Sequence, residues 1–333
     1  MKKKLLFILI SLLFPFTAIS RTDMSPVELQ RLKKKAESGD PEALYNLGMF
    51  YYSGGDSIKN DPAVSFSLWI RAAGAGYNEA NNGLGMLYEN GCGVEKNIDK
   101  AASFYEKAMK GGSKVAQYNL GNLFLLNNLP EKGLPLLTEL AEEGDQMAQM
   151  TLVKAYTAKK DFTKAFPWNE KLAAAGNSNG QFLLGVMYKN GLGCTQNYVK
   201  AAEFLDKASR QGNAAAMTEL GNLYMEGKGV ERDFNHAARL FASAIQSGDI
   251  NAYCNMGLIY IYGAGVAKDM EKGKAYLAKG AQLGDPEAQY QLALYLFNEN
   301  PPQLERAMNF LLQAASQGHE GANDLLQRAK NER

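Results

Sequence analysis

Apolar residues recur along this chain at the spacing of one face of a helix. Within residues 212–247, Ala216, Leu220 and Tyr224 form a first apolar stripe, and Phe241 belongs to a second stripe after a short turn. Stripes with this spacing of three to four residues are typical of amphipathic helices that pack on a common core. The segment therefore predicts a pair of helices, which we call the A helix and the B helix in chain order.

Glycines divide the rest of the chain into segments of the same kind. A glycine suits the left-handed position just past a helix, where a side chain is strained. These marker glycines are Gly39, Gly76, Gly112, Gly144, Gly176, Gly212, Gly248, Gly284 and Gly318. They follow one another at intervals of 32 to 37 residues. A period of this size indicates a solenoid, in which each helix pair buries its apolar face against its neighbours.

A second series of glycines lies nine residues further on, within the A helices. Its members are Gly48, Gly85, Gly121, Gly185, Gly221 and Gly257, and the series is completed by Val153 and Ala293. Glycine costs a helix interior about 1 kcal/mol relative to alanine. Its recurrence at equivalent positions predicts that another helix packs against the backbone there.

A Gly-x-Gly turn separates the two helices in four of the segments. The turns are Gly91-Cys92-Gly93, Gly191-Leu192-Gly193, Gly227-Lys228-Gly229 and Gly263-Ala264-Gly265. Each precedes a residue suited to cap a helix, which is Asn97, Asn197, Asp233 or Asp269. Such loops can also cradle a phosphate, but these lack the preceding strand and the Lys-Ser/Thr pair of a P-loop. We therefore predict turns between helices.

Taken together, these residues resemble the Sel-1-like repeat family, a branch of the tetratricopeptide superfamily. The family pattern is clearest in repeat two, as Ala80, Leu84-Gly85, Tyr88, Gly91-Cys92-Gly93-Val94, Lys100-Ala101-Ala102 and Ala108. The resemblance covers residues 36–322. It implies an all-α, right-handed solenoid of helix-turn-helix repeats. It also implies adaptor roles in envelope signalling, secretion or host contact.

Two repeats depart from the family pattern. Repeats three and four are each 32 residues long and lack the Gly-x-Gly-Val loop, with tighter turns at Leu129-Pro130 and Lys160-Asp161. We divide the chain into a signal peptide (1–20), an N-terminal capping helix (21–38), eight repeats (39–317) and a C-terminal capping helix (318–333). Ser25-Pro26-Val27-Glu28 predicts a capping box at the start of the first capping helix.

The first 20 residues do not fit the repeat. Lys2-Lys3-Lys4 precedes an apolar stretch from Leu5 to Phe16, and Ala18-Ile19-Ser20 forms a small-x-small cleavage site. This arrangement is typical of a secretory signal peptide. The alternative is an uncleaved membrane anchor, but 12 apolar residues are too few for a hydrocarbon core about 30 Å thick. We therefore expect a periplasmic or secreted protein, cleaved after Ser20.

The charge balance excludes some classes of partner, and the cysteine content limits the number of disulfides. The chain carries 36 basic and 35 acidic side chains. We expect neither nucleic acid nor an anionic membrane as the main partner, since both select a basic excess. We also expect no stable membrane insertion after cleavage of the signal peptide. The three cysteines, Cys92, Cys194 and Cys254, lie in different repeats and permit at most one disulfide within the chain. Free thiols are the default expectation, and Cys194–Cys254 is the alternative.

The sequence shows no constellation typical of a cofactor, a metal or catalysis. His236 and His319 are the two histidines, and we expect them at the surface rather than as ligands. His-Glu-x-x-His, Cys-x-x-Cys and Ser-x-x-Lys motifs are absent. We therefore predict a protein without enzymatic activity, cofactor or metal site. Trp69 and Trp168 lie before alanine pairs in B helices and are expected in the core.

The A helices are expected to line a concave groove, as in tetratricopeptide-type arrays. Side chains six, seven, ten and thirteen residues after the marker glycines should point into it. The candidate partner-binding residues are Tyr45, Asn46, Met49, Tyr118, Asn119, Asn122, Phe182, Asn222, Asn255 and Tyr290. Aromatic side chains and methionine are favoured anchors, and asparagine can bond a peptide backbone. For any single residue, packing between neighbouring A helices is the alternative.

These observations predict an exported, monomeric scaffold that binds a protein or peptide in its groove. One alternative is a periplasmic immunity protein that occludes a secreted toxin such as a phospholipase, because rigid helix pairs lose little ordering entropy on docking. A second alternative is a hydrolase that acts on cell wall or on a β-lactam. That activity is attributed to cysteine-rich relatives, whose paired cysteines this chain lacks.

Overall fold

The structure is a computed structural model that describes residues 24–55, 58–299 and 301–331. Within these ranges the chain forms 18 α-helices and no strand, which confirms the all-α prediction. The helices are α1 (Pro26–Glu37), α2 (Pro41–Ser53), α3 (Pro62–Gly74), α4 (Asn78–Asn90), α5 (Ile98–Lys110), α6 (Lys114–Leu126), α7 (Pro130–Glu142), α8 (Gln146–Ala158), α9 (Phe162–Ala174), α10 (Ser178–Asn190), α11 (Tyr198–Arg210), α12 (Ala214–Glu226), α13 (Phe234–Gln246), α14 (Asn251–Tyr262), α15 (Met270–Leu283), α16 (Pro286–Phe297), α17 (Leu304–Ser316) and α18 (Glu320–Asn331). None of them has the length and apolar character needed to cross a membrane. The predicted signal peptide, residues 1–20, lies outside the described residues.

Helices that follow one another along the chain pack together as antiparallel pairs. The A helices are the even-numbered helices from α2 to α16, and the B helices are the odd-numbered helices from α3 to α17. The closest packing joins A and B helices of the same pair, for example α10 with α11 and α2 with α3. The chain divides within α8 into two compact units: unit 1 ends at Ala148 and unit 2 begins at Gln149.

Side chains at the helix starts pair with backbone N–H groups that a helix leaves without a partner. Ser25 and Glu28 form the predicted capping box of α1: the Glu28 N–H donates to Ser25 Oγ at 3.3 Å, and the Ser25 N–H donates to Glu28 Oε2 at 2.9 Å. The four predicted caps, Asn97, Asn197, Asp233 and Asp269, each accept a backbone N–H at 2.9–3.0 Å. The Gly-x-Gly segments are therefore turns between helices, as predicted.

The second glycine of a Gly-x-Gly turn also packs on the preceding repeat. Gly93 has a φ angle of +69°, and a Cβ at this position would lie 2.6 Å from backbone atoms of Pro62 and Ala63. A side chain is therefore excluded both by the left-handed backbone and by the contact. The turn of one repeat consequently lies against the start of the preceding B helix.

Each glycine of the second series faces one large side chain from the B helix of its own pair. A Cβ on Gly221 would lie 2.6 Å from Phe241, which is fully buried. The same approach joins Gly48 to Trp69, Gly85 to Tyr105, Gly121 to Leu137, Gly185 to Leu205 and Gly257 to Leu277. The predicted close approach of a second helix is confirmed, and so is the burial of Trp69.

The fourth pair, α8 with α9, departs from this arrangement. Val153 takes the glycine position and Asn169 takes the position of the large side chain, and both are buried. Asn169 Nδ2 lies 3.7 Å from Met187 Sδ, whereas its Oδ1 has no hydrogen-bond partner among the described residues. The prediction that Trp168 is a core residue is wrong. It lies one residue before the core position and is therefore half-buried, with Lys171 Nζ 4.4 Å from its ring.

Candidate protein-interaction surface

Side chains of neighbouring A helices meet at one surface of each unit, which we call the A face. In unit 1 this face is formed by the residues six, ten and thirteen positions after the marker glycines of α2, α4 and α6. They are Tyr45, Met49 and Tyr52, then Asn82, Met86 and Glu89, then Tyr118, Asn122 and Leu125. Asn119 lies next to Tyr118 and donates from Nδ2 to Asn82 Oδ1 at 2.9 Å. This hydrogen bond connects α6 with α4.

The residues predicted on this face differ in exposure. Tyr45, Asn46, Tyr118, Asn119 and Asn122 are half-buried. Met49 is 4% exposed and belongs to the core around Trp69, so its assignment to a partner-binding surface is wrong. Met86 at the same position of α4 is also buried, which shows that packing encloses this position in both helices. The ring centroid of Tyr45 lies 5.0 Å from that of Tyr77, so Tyr45 also supports the fold.

Glu89 places a carboxylate on the A face near the end of α4. It is half-buried, and its Oε2 accepts a hydrogen bond from Tyr105 Oη at 2.6 Å. Burial raises the pKa of the Glu89 carboxyl, against smaller lowering effects of Tyr105 and Lys96. Burial also raises the pKa of the Tyr105 phenol, and the charge of Glu89 adds to this shift. A fully buried core residue thus fixes the position of this acid.

The A face of unit 2 is formed by α10, α12, α14 and α16. Its residues at the corresponding positions are Phe182, Val186 and Lys189, then Thr218, Asn222 and Met225, then Cys254, Leu258 and Ile261, then Tyr290, Leu294 and Phe297. Lys189 Nζ lies 2.6 Å from Glu219 Oε2 and joins α10 to α12. Asn255 Nδ2 donates to Asn222 Oδ1 at 3.1 Å and joins α14 to α12. Side chains from successive repeats therefore hold one another in place.

All four residues predicted on the A face of unit 2 are half-buried, namely Phe182, Asn222, Asn255 and Tyr290. Phe182 packs against the core around Leu205, and Tyr290 stacks on His319 with their ring centroids 4.6 Å apart. The asparagines that were expected to bond a partner also bond one another. An asparagine side chain has two N–H donors and an oxygen that can accept twice. One such contact therefore does not exhaust its capacity.

Three polar residues at these surfaces were not predicted from the sequence. Glu89 and Glu219 are half-buried, whereas Asn82 is buried and accepts the hydrogen bond from Asn119. Asn82 and Glu89 lie six and thirteen residues after Gly76, so the count that selected Tyr45 would have found them. Glu219 follows its marker glycine by seven residues. Their bonding partners could not have been found in this way, because pairing depends on the distance between side chains of different repeats.

Of the two histidines, His319 caps a helix and His236 packs against a tyrosine ring. His319 Nδ1 accepts the Ala322 N–H at 3.1 Å, and His319 Nε2 lies 2.9 Å from Glu287 Oε2. The His236 ring packs 4.3 Å from the Tyr224 ring. Within the described ranges, no group of three His, Cys, Asp or Glu side chains is arranged to hold a metal ion.

The prediction that the sequence contains no catalytic motif overlooked one segment, residues 176–180, which has the Gly-x-Ser-x-Gly spacing of a serine-hydrolase nucleophile motif. A nucleophile elbow needs a strand that leads into the helix after the serine. Here the preceding element is helix α9, and Ser178 is the first residue of α10. Asn177 caps α10 by accepting the Gly180 N–H at 3.0 Å. The segment is therefore a junction between repeats.

The three cysteines are present as free thiols: Cys92 and Cys194 are half-buried and Cys254 is buried. Burial raises the pKa of each thiol, and nearby acidic residues add to the shift at Cys194 and Cys254. Because the thiolate is the reactive form, raised pKa values favour inert side chains.

Helix pairs that repeat every 32 to 37 residues and pack on one another within each unit define a helical solenoid of the tetratricopeptide type. Within this class the chain belongs to the Sel1 repeat family. The Sel1 repeat matches residues 41–77, 78–113, 114–133, 178–213, 214–249, 250–285 and 286–319. Residues 134–177 lie between two of these matches. This interval contains the fourth pair, in which Val153 and Asn169 replace the usual glycine and large side chain.

Two curated relatives show how far the similarity extends. The chain is 35% identical over 99 residues to the ERAD-associated E3 ubiquitin-protein ligase component HRD3B of Arabidopsis thaliana. It is 27% identical over 171 residues to the chitin synthase regulator SKT5 of Saccharomyces cerevisiae. The alignments cover 29% and 51% of this chain, but 15% and 21% of those proteins. The chain thus matches a minor part of each relative.

Two solved structures share the fold over most of the chain. One is c5321, a protective antigen present in uropathogenic Escherichia coli strains and displaying an SLR fold. It has a TM-score of 0.73 and 29% identity, and the match covers 90% of this chain and 66% of that chain. The other is a Sel1 repeat protein from Oxalobacter formigenes, with a TM-score of 0.70 and 26% identity, and coverage of 96% and 98%. These similarities confirm the solenoid fold.

Proposed function

We propose that the protein is an exported interaction scaffold that binds a protein or peptide partner on its A face and catalyses no reaction. The observation that carries this proposal is the pairing of polar side chains between successive A helices. Asn119 with Asn82, Lys189 with Glu219 and Asn255 with Asn222 are held within 3.1 Å of one another. A surface fixed in this way loses little conformational entropy when a partner docks.

The character of the A face and of the relatives supports this role. Half-buried aromatic side chains such as Tyr118 and Phe182 belong to the same A faces and supply anchors of the kind that dominate protein interfaces. HRD3B is named as a component of a ubiquitin ligase, and SKT5 as a regulator of chitin synthase. Both names describe a protein that acts beside an enzyme. Export rests on the signal-peptide pattern of residues 1–20.

The proposal is tested by partner capture from a cell-envelope extract with the tagged protein. We expect Tyr118→Ala combined with Asn122→Ala to weaken capture at least tenfold, which corresponds to about 1.4 kcal/mol. Tyr118 and Asn122 are half-buried, so the helical circular dichroism spectrum should not change. Tyr45 is avoided because its ring contact with Tyr77 couples binding to stability.

A matched control comes from the B helices. Ser103 and Glu106 are exposed on α5, and their joint replacement by alanine should leave capture intact. Equal recovery of the same partner by the wild type and by the Tyr118/Asn122 variant would show that another surface binds it.

A further inference from the structure

The carboxylate of Glu89 is the acidic centre of the A face in unit 1. Tyr105 Oη donates to Oε2 and holds the carboxylate at the surface of the last turn of α4. Tyr105 itself cannot move away, because it fills the space opposite Gly85, where an added Cβ would lie 2.6 Å from its ring. The acid is therefore preorganised by the core rather than carried on a mobile side chain.

Few cations balance this acid on the A helices of unit 1. Helices α2, α4 and α6 contain Glu42, Glu79 and Glu89, but their one basic residue is Lys114 at the opposite end of α6. Lys114 already forms an ion pair, with its Nζ 2.8 Å from Glu143 Oε2. Lys96, in the turn after α4, is exposed and acts on Glu89 through its charge. The A helices of unit 1 thus carry three acidic side chains against one basic side chain, and Lys96 lies outside them.

The residues beside Glu89 suit a planar cation. Tyr52 occupies the same position one repeat earlier, and Leu125 occupies it one repeat later. Tyr52 packs against the buried cluster that contains Tyr105 and Met86, and its ring centroid lies 5.7 Å from that of Trp69. Because Tyr105 Oη bonds the Glu89 carboxylate, this cluster brings Tyr52 to the neighbourhood of the acid. An aromatic face next to a half-buried carboxylate can bind a cation both by ion pairing and by cation–π contact.

We propose that Glu89 anchors an arginine side chain of the bound partner, with the guanidinium donating to the carboxylate and lying against the Tyr52 ring. This inference rests on the proposed function and names the partner's chemistry at that surface. Arginine fits better than lysine for two reasons. Its guanidinium is planar, so it can stack and donate at once, and it is more weakly hydrated than an ammonium group, so it enters a half-buried site at lower cost.

The test uses three defined peptides and the full mature protein. The peptides are acetyl-Gly-Ser-Leu-Xaa-Leu-Ser-Gly-amide with arginine, citrulline or lysine at Xaa, and binding is measured by titration calorimetry. Citrulline keeps the shape of arginine but carries no charge. We expect the arginine peptide to bind at least about tenfold more tightly than the citrulline peptide. Glu89→Gln should abolish this preference, and Glu79→Gln, on the exposed first turn of the same helix, should retain it.

A second measurement does not depend on any variant. Nuclear magnetic resonance of the Glu89 side-chain carboxyl carbon follows its titration in the wild type. A guanidinium beside the carboxylate favours the ionised form, so the arginine peptide should move this titration to lower pH and the citrulline peptide should not. Equal binding of the arginine and citrulline peptides, an unmoved titration, or failure of all three peptides to bind would overturn the anchor assignment. Lysine binding as tightly as arginine would overturn the choice of a guanidinium.

These outcomes are separable from failure of the proposed function. If Tyr118→Ala with Asn122→Ala weakens partner capture while the peptides show no charge preference, the A face binds a partner and Glu89 is not its anchor. If the double variant captures the partner as well as the wild type, the A-face proposal itself fails, whichever peptide binds.

Discussion

At the scale of single residues, Glu89 makes stability depend on pH in a direction opposite to that of most carboxylates. Burial raises its pKa in the folded protein above the usual value of 4.5. The folded state therefore favours the protonated acid more than the unfolded chain does. Its contribution to stability is present below pH 4.5 and is lost as the pH rises through the raised pKa.

The corresponding prediction compares the wild type with Glu89→Gln by urea denaturation at several pH values. The amide cannot ionise, so the wild type should lose free energy of unfolding relative to the variant as the pH rises above 4.5. Glu28→Gln supplies a control of opposite sign, because hydrogen bonds from Ser25 lower the pKa of Glu28. In this comparison the wild type should lose free energy of unfolding relative to Glu28→Gln as the pH falls. If the difference in free energy of unfolding between the wild type and Glu89→Gln does not change with pH, burial does not raise the pKa of Glu89.

At the scale of the helix, one complementary pair of positions links the A and B helices of a repeat. Glycine faces a large side chain in six pairs. In the fourth pair, Val153 takes the glycine position and the shorter Asn169 takes the position of the large side chain. The larger residue on α8 thus accompanies a smaller one on α9. The cost is a buried amide whose Oδ1 lacks a partner among the described residues, and such a group destabilises a core.

A double-mutant cycle tests this complementarity. Asn169→Leu alone should overpack against Val153 and cost about 1–3 kcal/mol, and Val153→Gly alone should leave a cavity and cost about 2–4 kcal/mol. Together they recreate the glycine–leucine pair of α10 and α11. We expect the double variant to be more stable than the sum predicts by at least about 1 kcal/mol.

The control for the cycle combines Val153→Gly with Ser243→Ala, an exposed substitution on α13. These two changes should add, since the residues share no contact in the repeat arrangement. Additive effects of Val153→Gly and Asn169→Leu, measured in the same denaturant titrations, would show that the two positions do not face each other.

The elements and the site differ in how far the sequence predicts them. Marker glycines and caps such as Asn97 depend on local backbone geometry, so periodicity locates them. Gly221 depends on the approach of a second helix, but its recurrence at equivalent positions made that approach predictable. Trp168 was misplaced because a shift of one residue in a helix turns a side chain by about 100°. Met49 was misplaced because its burial depends on how closely helices of different repeats approach. The bond between Glu89 and Tyr105 likewise follows from distances that no sequence spacing states.

At the scale of the whole molecule, extensive packing within each unit joins helices that are consecutive along the chain, and a few alternate helices also touch. Helix α12, for example, packs against α11 and α13 and also meets α10. In such arrays stability is approximately the sum of repeat stabilities and of terms between nearest neighbours. A local substitution should therefore weaken its own repeat and the adjacent ones before it affects the others.

Phe241→Leu tests whether a local loss of stability spreads mainly to the neighbouring repeats. Leucine is the natural residue at the equivalent positions 205 and 277, but it leaves unfilled space beside Gly221, at a cost of about 1 kcal/mol. We expect hydrogen exchange, followed by mass spectrometry, to show lost protection in α12, α13 and α14. Helices α16 and α17 of the same unit should keep their protection, and Ser243→Ala on the same helix should change nothing. Equal loss of protection in every helix of unit 2 would instead show that the unit unfolds as a single cooperative body.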